Sequence, residues 1–125
     1  MQTRRDGDRP VVLVVEDEPL LLMDAVDMIE EAGFEAVEAA NADQAIAILE
    51  SRTDIRIVFT DIDMPGGMDG MRMAAAIRDR WPPIHIILTS GWTVPDQNSL
   101  PADSAFFPKP YVAEKVVATL HRMAA

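Results

Sequence analysis

The sequence predicts one α/β domain in which helices cover both faces of a mainly parallel, five-stranded sheet. Five short apolar runs alternate along the chain with segments in which apolar residues recur at helical spacing. Parallel neighbouring strands need crossover connections, so this alternation favours a helix between each pair of strands. The length of 125 residues is that of one ordinary domain.

The first strand and helix are separated by acidic residues. Residues 11–15 form a continuous aliphatic run, which is typical of a strand buried on both faces. Glu16 and Asp17 follow it directly. Pro19 suits the first turn of a helix, and Gly33 offers a stop at the helix C-terminus. The sequence therefore predicts that the carboxyl end of the first strand is acidic.

The pattern then repeats through the middle of the chain. The expected second, third and fourth strands are residues 34–40, 55–60 and 84–89. Asn41 and Gln44 have the spacing of a capping box and predict the start of the second helix. Residues 64–70 are rich in Gly and Pro and predict a loop. A third helix over about 71–81 should end before the following prolines.

Residues 92–103 interrupt the alternation. Pro95 and Pro101 leave room only for a short or irregular fourth helix, which we expect to be reduced or mobile. Phe106 and Phe107 then mark a short fifth strand, and apolar residues at helical spacing predict a last helix at the end of the chain.

Composition restricts the classes of function. The formal net charge of −10 argues against direct nucleic-acid binding, which relies on clustered Lys and Arg. The chain has no cysteine, and its apolar runs are too short to span a bilayer. Residues 1–9 lack the features of a secretory signal and are expected to form a flexible tail before a domain at 10–125. We therefore expect a cytoplasmic protein without membrane insertion.

Polar residues follow the predicted strands at one edge of the sheet. They are Glu16 and Asp17 after the first strand, Asp61 after the third, Thr89 at the end of the fourth and Lys109 after the fifth. Three carboxylates that lie close together repel one another unless they are exposed, protonated or neutralised by a cation. Carboxylate oxygens and water suit Mg²⁺. The sequence therefore predicts a Mg²⁺ site at this edge.

The same residues suit the transfer of a phosphoryl group to a carboxylate. A phosphoryl group on Asp61 would add negative charge, which a metal, an ammonium group and a hydroxyl group can stabilise. Lys109 and Thr89 supply the last two. In this interpretation Asp61 is the nucleophile, and the protein contributes positioning and charge compensation.

Four motifs give the chain a family resemblance. VVEDE at 14–18, TDIDMP at 60–65, LTSG at 88–91 and PKPY at 108–111 resemble, in order and spacing, the receiver domain of bacterial two-component response regulators. The resemblance covers nearly the whole chain. It implies a flavodoxin-like doubly wound fold, dependence on Mg²⁺, and phosphotransfer from a phosphohistidine on a sensor histidine kinase or histidine phosphotransfer protein.

The resemblance also implies individual roles. These are Glu16 and Asp17 as the acidic pair, Asp61 as phosphoacceptor, Asp63 as a metal ligand through its backbone carbonyl, Thr89 as the switch hydroxyl, Lys109 as the conserved-type lysine and Phe106 as the aromatic switch. Phe107 competes with Phe106 for the last role. The sequence departs from the family pattern in the glycines at 66–67, which lengthen the loop after Asp61 by one residue.

Several functions remain open at this stage. The favoured hypothesis is a stand-alone receiver that is not an enzyme, since it catalyses only its own phosphotransfer and dephosphorylation. It either relays phosphate or changes its binding to a downstream protein. By resemblance, residues 19–22 lie near the surface that docks the kinase. The alternatives are a haloacid-dehalogenase-like phosphatase using Asp61 and Asp63, and a phosphorylation-independent adaptor. Trp92 is either an incidental exposed aromatic or a contact near the phosphorylation site.

Overall fold

The computed structural model describes residues 9–64, 69–92 and 94–125. Its strands are β1 (Val11–Val15), β2 (Glu35–Ala39), β3 (Ile55–Asp61), β4 (His85–Ser90) and β5 (Ser104–Pro108). Its α-helices are α1 (Pro19–Glu31), α2 (Ala42–Ser51), α3 (Gly70–Arg80) and α4 (Ala113–Ala124). Residues 1–8 of the expected tail lie outside the described residues, so the domain boundary at residue 10 stays a prediction.

All five strands pair in parallel, in the order β2-β1-β3-β4-β5. The chain passes from β1 outward to β2 and then returns to β3 on the other side of β1. The strand order therefore reverses beside β1, and ligands of such sheets bind near the carboxyl ends at this position. The predicted flavodoxin-like, doubly wound fold is confirmed, and the acidic ends of β1 and β3 are neighbours.

Helices pack on both faces of the sheet. On one face α2 and α3 contribute Leu49, Met73 and Ile77 to a core that also contains Leu13 of β1. On the other face α1 and α4 contribute Ile29, Val116 and Leu120 to a core with Val12 and Val14. Successive side chains of a strand point to opposite faces. Every residue of β1 is therefore buried, as its continuous aliphatic run predicted.

The ends of the first two helices follow local chemistry. Pro19 occupies the first turn of α1, and Gly33 adopts a φ of +100° just after the helix ends, a conformation that glycine tolerates best. Asn41 caps α2 by accepting a hydrogen bond from the Gln44 backbone N–H at 2.8 Å. The Gln44 side chain accepts one from the Ala40 N–H at 2.8 Å, one residue earlier than the predicted capping box requires.

The connection between β4 and β5 contains one turn of 3₁₀ helix, Gln97–Ser99, within its described part. The expected short fourth helix is confirmed. The end of this connection is held by Arg78 of α3, whose Nε donates to the Ala102 carbonyl at 2.8 Å. Residues 65–68 lie outside the described residues, and so do the glycines at 66–67 that were expected to lengthen this loop.

Candidate phosphorylation site

Three carboxylates from two neighbouring strands meet at the carboxyl edge of the sheet. One carboxylate oxygen from each of Glu16, Asp17 and Asp61 lies within 4.8 Å of the other two. Glu16 and Asp61 are buried, whereas Asp17 is exposed. β1 delivers the first two, and β3 delivers Asp61 as its last residue. The grouping predicted from the strand ends is therefore present.

Lys109 lies against the buried pair of carboxylates. Its Nζ is 3.3 Å from Asp61 Oδ2 and 3.6 Å from Glu16 Oε2. The position of Lys109 is fixed by its backbone N–H, which donates to the Ser90 carbonyl at the end of β4 at 2.8 Å. One ammonium group faces three carboxylates, so the cluster has an excess of negative charge when all three are ionised.

Burial and this excess charge together raise the pKa of Glu16 to about 7 from its ordinary value of 4.5. Burial is the largest cause because it disfavours the charged form, and the negative charge of Asp61 is the second. Lys109 and the Glu18 backbone N–H act in the opposite direction without offsetting the rise. A divalent cation would neutralise the same charge, and an all-oxygen donor set suits Mg²⁺.

Thr89 and Asp61 lie side by side on the neighbouring strands β4 and β3. The two residues are partners in the register of β3 and β4, and the Ile62 N–H donates to the Thr89 carbonyl at 2.8 Å. Thr89 also lines a cavity of about 510 Å³ that Glu16 and Lys109 border. The structure therefore brings Thr89 to the predicted site.

Asp63 connects Asp61 with the loop after β4. Its backbone N–H donates to Asp61 Oδ1 at 3.2 Å. Its carboxylate Oδ2 accepts one hydrogen bond from the Ser90 hydroxyl and another from the Trp92 backbone N–H at 3.1 Å. The sequence predicted a role only for the Asp63 backbone carbonyl. The side-chain contacts were missed, although a hydroxyl residue directly after Thr89 was visible in the LTSG motif.

Gly70 is a second residue whose importance the sequence analysis missed. A Cβ atom at this position would lie 2.2 Å from the Asp61 carbonyl oxygen and 2.7 Å from Ile62 Cα. Real side chains do not approach backbone atoms so closely, so the first residue of α3 must be glycine for the helix to pack here. The signal available in the sequence was a glycine at the boundary between the loop and the helix.

Comparison with known families decides how this geometry is to be interpreted. Residues 12–120 match the response regulator receiver domain family. The chain belongs to this family. Its members are the receivers of two-component systems, and their signalling depends on phosphorylation. Membership of this family does not favour the phosphatase alternative.

Individual relatives agree with this assignment. Sensor kinase CckA of Brucella abortus is 34% identical over 116 residues, which are 90% of this chain and 12% of CckA. The hydrogenase transcriptional regulatory protein HoxA of Cupriavidus necator is 26% identical over 93% of this chain and 24% of HoxA. This receiver domain thus spans a quarter or less of these two relatives.

Solved structures are similar over nearly the whole domain. A response regulator receiver protein from Sinorhizobium medicae has a TM-score of 0.86 and 26% identity, with 94% of this chain and 95% of that chain covered. The response regulator TrrA from Thermotoga maritima, in complex with Mg²⁺ and BeF, has a TM-score of 0.80 and 27% identity, with 90% and 97% covered.

The two phenylalanines of β5 lie on different faces of the receiver sheet. Phe106 pairs with Leu88 and packs against the core on the α2 and α3 face, as Trp81 and Leu100 also do. Phe107 pairs with Thr89 and packs on the α1 and α4 face. The register thus places Phe107 next to Thr89 and Phe106 next to Leu88. The switch role of Phe106 stays a prediction, with Phe107 as its competitor.

The receiver carries exposed apolar side chains beside the site. Leu20, Leu21 and Met23 project from the first turns of α1, and Leu20 is 68% exposed. Leu21 also lines the cavity that Lys109 and Tyr111 border. In the described parts of the chain, no helix is both long and apolar enough to cross a membrane.

Proposed function

We propose that Asp61 accepts a phosphoryl group from the phosphohistidine of a sensor histidine kinase or histidine phosphotransfer protein. The observation that carries this proposal is the position of Asp61 Oδ2, 3.3 Å from the Lys109 ammonium, inside a cluster with Glu16 and Asp17. A carboxylate needs no base to act as a nucleophile, so the surrounding groups have only to position the reactants and balance charge.

In the reaction, an Asp61 carboxylate oxygen forms a bond to phosphorus while the bond between phosphorus and the donor imidazole nitrogen breaks. The electron pair of that bond leaves with the imidazole, which takes up a proton if it is not already protonated. Lys109 stabilises the negative charge that the phosphoryl oxygens bring to the site, and the Thr89 hydroxyl can donate a hydrogen bond to one of them.

A divalent cation, with Mg²⁺ as the best match, would be held by Glu16, Asp17 and Asp61 together with the Asp63 backbone carbonyl. The raised pKa of Glu16, caused first by burial and second by the charge of Asp61, supports this proposal because a bound cation would stabilise the ionised carboxylate against both. When bound, the cation supplies electrostatic stabilisation of the transferring phosphoryl oxygens. The receiver acts on its own side chain, so its catalysis is limited to its own phosphorylation and dephosphorylation.

The exposed side chains of α1 are proposed to receive the phosphodonor. Leu20 and Met23 are exposed, and the cavity between α1 and the residues after β5 opens next to Lys109. A donor that covers these apolar side chains would bring its phosphohistidine to Asp61. Phosphate relay and a change in binding to a downstream protein remain alternative outputs in this proposal, and neither requires nucleic acid or membrane.

The proposal is tested by labelling the protein with ³²P-acetyl phosphate or with a phosphorylated kinase, with and without Mg²⁺. Wild type should acquire an acid-labile label only with Mg²⁺. Asp61→Asn should acquire none, while the matched variant Asp79→Asn, on the exposed side of α3, should label like wild type. An equal label on Asp61→Asn would exclude Asp61 as the acceptor, and lack of labelling of wild type would support the adaptor hypothesis.

A further inference from the structure

We propose that the side chain of Asp63 is a positioning group that holds the exit of β4 against the phosphorylation site. This inference rests on the proposed function of Asp61 and assigns to Asp63 a second role, separate from that of its backbone carbonyl. The side chain does not touch the reacting atoms in this proposal. It acts through Ser90 and Trp92.

Asp63 contacts the acceptor carboxylate through its backbone and the end of β4 through its side chain. Its backbone N–H donates to Asp61 Oδ1 at 3.2 Å, so the position of Asp63 depends on the acceptor carboxylate. Its Oδ2 accepts from the Ser90 hydroxyl and from the Trp92 backbone N–H at 3.1 Å. A charged acceptor makes such hydrogen bonds stronger than those between neutral groups. One residue therefore joins the end of β3 to the first residues beyond Thr89.

The chain around Thr89 is held at three places. The Thr89 carbonyl accepts from the Ile62 N–H at 2.8 Å, and the Ser90 carbonyl accepts from the Lys109 N–H at 2.8 Å. Both bonds belong to the edge of the sheet. The Asp63 carboxylate adds a third restraint, which acts on the hydroxyl of Ser90, a residue that is only 3% exposed. Together they fix the backbone that carries the Thr89 hydroxyl.

Trp92 lies two residues beyond Ser90. Its indole side chain is 90% exposed, although its backbone N–H is held by Asp63. Packing of the ring therefore does not explain why the loop takes this course. The Trp92 N–H donates both to Asp63 and to the Ser90 hydroxyl oxygen, at 3.3 Å, so a change at Asp61 that moves the Asp63 backbone would be passed to Trp92. Trp92 therefore combines an exposed ring with a backbone contact near the site.

The test compares Asp63→Ala with Asp63→Asn. Both variants remove the negative charge, but the Asn carbonyl oxygen can replace Oδ2, which accepts both hydrogen bonds. Asp63→Ala should slow labelling by acetyl phosphate on the order of tenfold, as the loss of a group that orients catalytic residues commonly does, and Asp63→Asn should recover most of that loss. Asp79→Ala controls for the removal of a carboxylate elsewhere.

Ser90→Ala provides a second, independent measurement. If Asp63 acts through Ser90, the Asp63→Ala, Ser90→Ala double variant should label more rapidly than independent effects of the two single variants predict. Additive effects would overturn the proposal for Ser90. Equal rates for Asp63→Ala and Asp63→Asn would overturn it as a whole, because charge alone would then account for the effect.

Tryptophan emission separates this inference from the proposed function. In a Trp81→Phe background, Trp92 is the remaining tryptophan. Asp63→Ala should change its emission and anisotropy without any phosphodonor, while the unfolding midpoint in urea shows whether the variant is folded. Unchanged emission would overturn the inference even if Asp61 is labelled normally. If wild type is not labelled, the proposed function is overturned. The emission of Trp92 then decides on its own whether Asp63 holds the loop.

Discussion

Replacing Glu16 with Gln should stabilise the metal-free protein at alkaline pH and leave it nearly unchanged in acid. The pKa of Glu16 is about 7 in the folded protein against an ordinary 4.5. The folded state therefore prefers the protonated carboxyl, and the stability that this preference supplies is present at low pH and is lost as the pH rises through about 7. Each pH unit between the two values changes the free energy of unfolding by about 1.4 kcal/mol.

The expected magnitude follows from these two values. Between about pH 5 and pH 8, the difference in unfolding free energy between Glu16→Gln and wild type should grow by roughly 2 to 3 kcal/mol in favour of the variant. Urea unfolding in a metal chelator at both pH values measures this difference. Glu30→Gln, on the exposed side of α1, should show no such growth.

Addition of Mg²⁺ should reverse the effect. A cation that binds the folded state stabilises it in proportion to the logarithm of its concentration, and wild type should gain more than Glu16→Gln because the variant lacks one carboxylate ligand. If the difference between the two proteins is the same at both pH values, the argument from burial and from the charge of Asp61 is refuted. If Mg²⁺ stabilises both equally, Glu16 is not a ligand.

Two other predictions concern residues next to the acceptor. Gly70→Ala should destabilise the fold by about 2 kcal/mol in urea unfolding because its Cβ would overlap the Asp61 carbonyl. Gly91→Ala should barely change the free energy of unfolding, because its Cβ would lie 4.0 Å from its nearest neighbours. Equal losses of stability in the two variants would contradict the packing argument. Lys109→Gln should raise the pKa of Glu16 further, because Lys109 lowers it. Mg²⁺ titrations across pH should then need a higher pH for half-maximal binding, and an unchanged profile would count against the contact.

The strands were predictable because their residues are buried on both faces. β1 occupies the same residues that its aliphatic run predicted, and the ends of β3 and β4 lie one residue beyond the predicted ends, at Asp61 and Ser90. Parallel strands carry their polar ends to one edge of the sheet. For this reason the grouping of Glu16, Asp17 and Asp61 with Lys109 could be inferred before any distance was known.

The details that sequence could not supply depend on contacts between loops and on register. Nothing local in the sequence indicates that the Asp63 carboxylate reaches Ser90, because Asp63 follows β3 whereas Ser90 ends β4. The fit of Gly70 against Asp61 depends on how closely α3 approaches β3. The choice between Phe106 and Phe107 depends on their pairing with β4, since a slip of one residue exchanges the two faces.

The strand order has a consequence for how the protein folds. Glu16 and Lys109, whose charged groups lie 3.6 Å apart, come from near opposite ends of the sequence, and Asp61 comes from its middle. Closing such long loops costs conformational entropy, and contacts between residues that are near in sequence do not offset this cost. The group formed by Glu16, Asp61 and Lys109 is therefore complete only after β1, β3 and the end of β5 have assembled. The proposed Mg²⁺ ligands lie at or just after the ends of β1 and β3, so Mg²⁺ affinity should return during refolding when these two strands have paired, after helical circular dichroism has returned.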